Sequence, residues 1–279
     1  MFKEKFPTVN DLDDKESIEY KNNYYKDHVN IIRTYLTNLD LQILNHTFIG
    51  KLFSCNKYDA KMNSELWVYT DLRYGLKSIF VPIDFFTLTE TVLSLDCEVC
   101  GIFRVKNSVT TVEECISMLE EEIKNRTNFE DIRNRLAENF SVIDLTTAFK
   151  ALVRNYEYSV IPDNFIDLIY KMGDIESKYD RMIVFHYFFV SLPKFNRYLL
   201  EATIYFLYLI HDIATKNGKD YNNNMNMEGI STVMMPNLLL KDIKNVSLNK
   251  VPILVKFMKE FILNFPLIVK LNPNYNNFK

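Results

Sequence analysis

The stretch Ser141-Val142-Ile143-Asp144-Leu145-Thr146-Thr147-Ala148-Phe149-Lys150-Ala151-Leu152-Val153-Arg154-Asn155-Tyr156 decides the fold class. Leu145, Phe149, Leu152 and Tyr156 recur at spacings of four and three, the repeat of a helix face turned to a core. A strand would send those positions to opposite faces of a sheet. Lys150 and Arg154 stand one helical turn apart on the neighbouring face, where two cations can reach a common partner.

The same period runs outward in both directions. Upstream, a helix is expected over Ile83 to Leu95, and Thr111 and Glu114 have capping-box spacing ahead of a core face of Val112, Ile116, Leu119 and Ile123. Downstream, Pro162 suits the first turn of a helix that Gly173 ends, and Leu192 and Pro193 separate two strongly apolar helices. The second of these ends at Asn217 and Gly218; an Asn-rich loop, Tyr221 to Asn224, leads into a helix reaching Met235. A last helix is expected over Val251 to Asn264, stopping before Pro266. No interval shows period-two alternation with hairpin turns, and 6 Gly and 8 Pro in 279 residues leave few turns for a sheet. The expected fold is all-α. Phe185, Tyr187, Phe188 and Phe189 crowd one apolar helix without interleaved basic residues, so they read as core and not as a base-stacking platform.

Nearer the N-terminus, Tyr25, Val29, Ile32, Leu36, Leu39 and Ile43 form a heptad seam on a long helix over about Asp14 to His46, with Asn10, Asp11, Asp13 and Asp14 supplying capping and acidic charge at its start. Such a seam either docks on the chain's own domain or pairs with a second copy as a homodimer. Asn56 to Ser64 is polar and reads as a connector, and Leu66, Trp67, Val68 and Tyr69 as an apolar lead-in. The organisation expected is therefore an N-terminal helical extension with its connector over 1–62, and a main domain over 63–279.

Composition narrows the function. With 33 Lys and Arg against 36 Asp and Glu the formal charge is −3, so no global field draws the chain to nucleic acid or to an anionic membrane. Met1 to Phe6 has no apolar run to act as a signal peptide, and the apolar stretches Met182 to Leu192 and Tyr198 to Ile210, interrupted by His186 and Glu201, fall short of the roughly 20 residues of a membrane span. Cys55, Cys97, Cys100 and Cys115 are too few for a disulfide framework, and the Cys97/Cys100 pair has no second pair or nearby histidines to complete a zinc site. A cytoplasmic protein is expected, with no integral membrane segment, metal or cofactor. The chain has no Gly-rich phosphate loop and no nucleophile-and-base string, so it does not read as an enzyme in its own right.

A second set of residues sits in strings that carry a resemblance. Gly101-Ile102-Phe103-Arg104 precedes Lys150 and Arg154; then come Val153 to Pro162, Leu192-Pro193-Lys194-Phe195-Asn196-Arg197 with Leu199 and Leu200, and Pro236-Asn237-Leu238, with Tyr74 and Gly75 ahead of them all. In this order they resemble the Rho GTPase-activating (RhoGAP) domain over roughly residues 70–270. The family's string Leu-Arg-Glu-Leu-Pro-Glu-Pro-Leu-Ile-Pro is matched only at its ends, and its Ser-Gly-Ser after the arginine is Lys106-Asn107-Ser108 here. Counting back from Pro236 puts Gly229 where the family has Asn. The longer interval from Arg104 to Lys150 implies an extra helical insertion around Glu121 to Arg133.

The resemblance implies a multi-helix RhoGAP-like domain that stimulates GTP hydrolysis by a GTP-bound Rho-family small GTPase. Arg104 is the implied catalytic arginine, inserted in trans. Lys150, Arg154, Lys106, Gly229 and Thr232 are the implied partner-binding residues. The alternative is a catalytically weak or inactive module of the same fold that binds a GTPase or another signalling protein, and Gly229 is the feature that favours it.

Overall fold

Two helices in the second half of the chain are apolar around most of their circumference, which places a helix at the centre of a core. The computed structural model, which describes residues 5–45, 67–156, 160–216, 225–239 and 248–278, buries every residue from Arg181 to Pro193 and from Asn196 to Leu207. In chain order the elements are α1 (Asp14–Tyr35), α2 (38–45), β1 (Trp67–Thr70), β2 (Ile79–Pro82), α3 (Ile83–Leu93), α4 (Val109–Lys124) and α5 (Phe129–Asn139). They continue as α6 (Val142–Asn155), α7 (Ile166–Gly173), α8 (Lys178–Ser191), α9 (Lys194–Lys216), α10 (Met227–Leu239) and α11 (Val251–Ile268). The all-helical expectation holds apart from the short hairpin.

Around α8 and α9 the other elements pack in two groups. α1 lies along α8, and α7, α8 and α10 pack on α11; α3, α4, α5 and α6 form a second cluster, which α10 joins to the first by packing on both α6 and α11. The hairpin pairs β1 and β2 antiparallel with Tyr69 opposite Phe80, and β2 rests on α9. Phe185, Tyr187, Phe188 and Phe189 are all core residues, and Phe185 meets Phe257 and Phe261 of α11 with ring centroids 5.1 and 5.4 Å apart. No described helix is long and apolar enough to cross a membrane.

The N-terminal seam is not one helix. Leu36 leaves α1 in an extended conformation, and Thr37 opens α2 by exchanging bonds with Asp40, whose carboxylate accepts from the Thr37 N–H at 2.8 Å. Ile32 and Leu36 are buried, whereas Leu39, two residues past the break, is 65% exposed. The docked face of α1 instead includes Ser17, Lys21 and Tyr24, and Asp13 is its cap, accepting from the Glu16 N–H. Within the described residues the seam packs on the chain's own α8.

Other differences have local causes. α4 is capped by Ser108, three residues ahead of the expected Thr111, and buries Cys115 with Leu119. The stretch Glu121 to Arg133, where an extra helix was expected, holds the end of α4 and the start of α5, a separate helix capped by Asn128 and seated on α3 and α4 through Ile132 and Leu136. Both α10 and α11 run through a proline, Pro236 and Pro266, at which they were expected to end. A proline removes one intrahelical bond; buried Met235, Leu238 and Leu239 on either side of Pro236, and Phe265 and Ile268 around Pro266, hold the helices together across it. The connector 56–64 and the expected helix end at Asn217 and Gly218 lie outside the described residues.

A buried ionic cluster ties the first segment to the centre. Arg73, fully buried, faces Glu201 of α9, also fully buried, with Nε to Oε1 at 3.2 Å and Nη2 to Oε2 at 3.3 Å, and lies 3.5 Å from Asp11. Its remaining donors reach the Thr8 hydroxyl at 2.5 Å and the Lys77 carbonyl at 2.6 Å. Glu201 is saturated in turn by the Tyr74 and Gly75 N–H groups and by the Asn10 amide. Gly75 is required here, because a Cβ would fall 1.8 Å from Arg73 Nη2. Burial pushes the Asp11 carboxyl up, but hydrogen bonds from the Lys77 and Thr8 N–H groups, and the Arg73 charge, bring it below the usual carboxylate range. Asp11 therefore stabilises the fold above its unfolded pKa, and that contribution is lost as pH falls through the lower folded value.

Candidate functional site

The arginine turn begins where α3 has ended. Gly101 adopts φ 84° and Phe103 φ 62°, both left-handed, and the N–H groups of Arg104 and Val105 each donate to the Gly101 carbonyl at 2.8 Å. A left-handed phenylalanine costs about 1–2 kcal/mol. Burial of its ring, worth roughly 1.5–3 kcal/mol, offsets that: Phe103 is fully buried and meets Phe149 of α6 and Phe206 of α9 edge-on at 6.2 and 6.1 Å. Ile102 is buried beside it. The apolar pair thus roots the turn in the core and leaves Arg104 outside, exposed and with no side-chain hydrogen bond or ion pair among the described residues.

Gly101 cannot be replaced cheaply. Its φ disfavours any L side chain, and a Cβ would lie 2.5 Å from Val105 Cγ2. Gly101→Ala is expected to lower stability by at least about 1 kcal/mol in chemical denaturation and to displace Arg104. A melting curve equal to the parent's would contradict that geometry.

α6 runs directly beneath the turn. Ser141 caps it in a box with Asp144, the Ser141 N–H donating to Asp144 Oδ2 at 2.8 Å. Lys150 Nζ donates to the Phe103 carbonyl, one residue before Arg104. Burial of the Lys150 ammonium, helped by repulsion from Lys106, brings its pKa down to about 8. Arg154, one turn on, is partly exposed and makes no ion pair among the described residues. Lys106 is exposed. Two apolar side chains after the arginine are exposed as well, Val105 at 42% and Val109, the first residue of α4, at 73%.

The remaining predicted residues lie on α10, which packs against α6. Gly229 lies in the first turn of the helix, where its N–H donates to the Asn226 side chain at 2.8 Å. A Cβ there would meet only Asn226 and Met225 atoms at 3.4 Å or more, so neither space nor backbone demands glycine. Thr232 is exposed and its hydroxyl is bonded back to the Glu228 carbonyl at 2.8 Å. Arg104, Lys150 and Arg154 are thus gathered around one turn and one helix, with Gly229 and Thr232 on the adjoining helix.

Sequence reasoning missed two features of the site. Asn107 donates its amide to Asp144 of α6, and Val105 and Val109 are large apolar side chains left exposed. The Asn107–Asp144 bond had no detectable signal, since its partners are 37 residues apart. Cys97 is buried with its thiol pushed up to about 12 by that burial and by Asp96, while Cys100 is exposed. Among the described residues no group of His, Cys, Asp and Glu could hold a metal ion.

Known proteins share this architecture. The chain is 26% identical over 189 residues to the Rho-GTPase-activating protein LRG1 of Saccharomyces cerevisiae, an alignment covering 67% of this chain but 18% of that protein. The chain thus spans less than a fifth of the curated relative it matches. Among solved structures, the BH domain of GRAF, the GTPase regulator associated with focal adhesion kinase, superposes with a TM-score of 0.56 at 17% identity, covering 68% of this chain and 95% of that one. Human Rho GTPase activating protein 15 superposes with a TM-score of 0.55 at 18% identity, covering 66% and 82%. These likenesses establish the helical fold. The profile of the RhoGAP domain matches residues 82–243, more than half of the chain and the whole span from α3 through the arginine turn and α6 to α10, and the chain belongs to the RhoGAP domain family.

Proposed function

We infer that this chain is a GTPase-activating protein for Rho-family small GTPases, acting on the GTP-bound partner by inserting Arg104 in trans. The observation that carries the reading is the arginine turn itself: an exposed arginine whose guanidinium has no partner among the described residues, on a turn rooted by two buried side chains. Phosphoryl transfer spreads negative charge over the transferring group, and an inserted guanidinium neutralises it, worth about 10³ to 10⁵ in rate. Arginine suits the task because it is permanently charged and planar. The chain supplies no cofactor or nucleotide site of its own in this reading; it completes the partner's active site, in the cytoplasm. Single-turnover GTP hydrolysis by Rho-family proteins with and without the chain tests it, and an unchanged rate across the panel would overturn it.

Lys150 and Arg154 bind and orient the partner, with Lys106, Thr232 and the surface around Gly229 at the edge of the interface. Replacing both Lys150 and Arg154 by Ala is expected to weaken partner binding by at least about tenfold in calorimetry, with circular dichroism unchanged. Affinity of the parent should also fall as pH rises through about 8, where the Lys150 ammonium loses its proton. The sign for the fold is opposite. The folded pKa lies below the unfolded value of 10.5, so folding is disfavoured by this group below about 8 and gains stability as pH rises between the two. Weaker binding at high pH is therefore not unfolding, and a flat affinity profile across that range would contradict the role given to Lys150.

Gly229 favours a second reading, a module that binds the GTPase without accelerating hydrolysis, because glycine cannot supply the side-chain hydrogen bond of the family's Asn. Binding at parental strength with no rate increase would select it.

A further inference from the structure

Between Arg104 and the start of α4, residues 104–106 and 108 are exposed and Asn107 alone is half-buried. Ahead of the arginine the turn is already held, by the Phe103 ring in the core and by Lys150 on the Phe103 carbonyl. Behind it, Asn107 Nδ2 donates to Asp144 Oδ1. That carboxylate does not wander: its other oxygen accepts from the Ser141 N–H at 2.8 Å and the Ser141 hydroxyl at 2.6 Å, which fixes it at the first turn of α6 before Asn107 reaches it. A bond to an ionised acceptor is roughly twice as strong as a neutral one.

We propose that Asn107 and Asp144 are a positioning pair that latches the trailing side of the arginine turn to α6, so that Arg104 is presented in one orientation. This rests on the reading of Arg104 as the inserted arginine. Without that bond, the segment between the Gly101 turn and the Ser108 cap of α4 would keep a single tie to α6, the Thr147 hydroxyl on the Val105 carbonyl at 3.5 Å, and the guanidinium, at the end of a long side chain, would move furthest. A displacement of 1 Å at a reacting centre can cost about 10²-fold in rate. The latch therefore acts on the transition state and not on encounter, for which the cations of α6 suffice.

Reversal of the bond provides the test. Asn107→Asp sets a second carboxylate against Asp144 and opens the latch. Combining it with Asp144→Asn restores the bond with donor and acceptor exchanged: the new amide's oxygen still accepts from Ser141, and its NH₂ donates to the new carboxylate. In single-turnover hydrolysis with a Rho-family GTPase, Asn107→Asp is expected to lower the saturating stimulated rate by about tenfold or more, with affinity for the GTP-bound partner changed by less than about threefold. The double variant should return the rate to within about threefold of the parent. Hydrogen exchange at the Arg104 and Val105 amides, both bonded to Gly101, should quicken about tenfold in the single variant and recover in the double. A parental rate and parental exchange in Asn107→Asp would overturn the latch, as would a double variant that stays as impaired as the single one while melting like the parent. A parent chain that stimulates no GTPase would bring down the functional reading and the catalytic role of the pair together, and in that event the exchange measurement alone decides whether the latch exists.

Discussion

Arg104→Ala should reduce the stimulated rate of GTP hydrolysis by about 10³-fold or more while leaving affinity for the GTP-bound partner within about tenfold. The split follows from position. Arg104 is exposed and its side chain is unbonded among the described residues, so its removal leaves no buried group unpaired and no cavity behind it. Its backbone N–H, which helps close the turn on Gly101, is retained in the variant. What disappears is charge delivered to the transferring phosphoryl group, and that is felt at the top of the barrier. Arg104→Lys should recover little, since an ammonium cannot reproduce a planar fork. Equal stimulation by parent and Arg104→Ala would remove the finger assignment.

The second large effect is on stability and lies away from the partner-facing turn. Glu201→Ala should cost about 3–5 kcal/mol, because it strands the Arg73 guanidinium in the core and unpairs the Tyr74 and Gly75 N–H groups together with the Asn10 amide. Total stabilities of domains run to about 5–15 kcal/mol, so such a loss is a large share of the whole. It should appear in chemical denaturation as a lower midpoint. Replacing Arg73 and Glu201 together by Met and Leu should cost less than Glu201→Ala alone, since no guanidinium is then stranded in the core and Asp11, which loses Arg73, keeps the Thr8, Leu76 and Lys77 N–H donors. A loss under about 1 kcal/mol for Glu201→Ala would mean that water reaches this cluster.

The helices were legible where burial is one-sided or complete. The stripe on α6 and the all-round apolar α8 and α9 carry their environment in their spacing, and so does the break at Leu192 and Pro193. Reading failed where the deciding partner is remote. Trp67–Thr70 and Ile79–Pro82 are four-residue strands, too short for a period to show, and they pair with each other while β2 packs on α9 and β1 on α3. Pro236 and Pro266 act as stops in isolation, yet packing on both sides carries each helix through. The split of the N-terminal seam was readable in principle, as Thr37 and Asp40 have capping spacing, but the heptad pattern of apolar residues obscured it.

The site divides the same way. Arg104, Lys150 and Arg154 were found through ordered strings, and the geometry gathers them around the turn and α6. Gly229 was placed in register with the family's Asn, but its location in the first turn, capped by Asn226, could not be seen without the helix start. Arg73 with Glu201, and Asn107 with Asp144, have no local signature, since their partners are 128 and 37 positions apart.

The most direct test of an arginine delivered to a transition state is selective affinity for a mimic of that state. A Rho-family GTPase should bind this chain at least about 10²-fold more tightly when loaded with GDP and aluminium fluoride, which imitates the transferring phosphoryl group, than when loaded with GDP alone. With Arg104→Ala that preference should largely vanish. Equal affinity of the parent chain for the two loaded forms, or a preference that survives Arg104→Ala undiminished, would contradict the account.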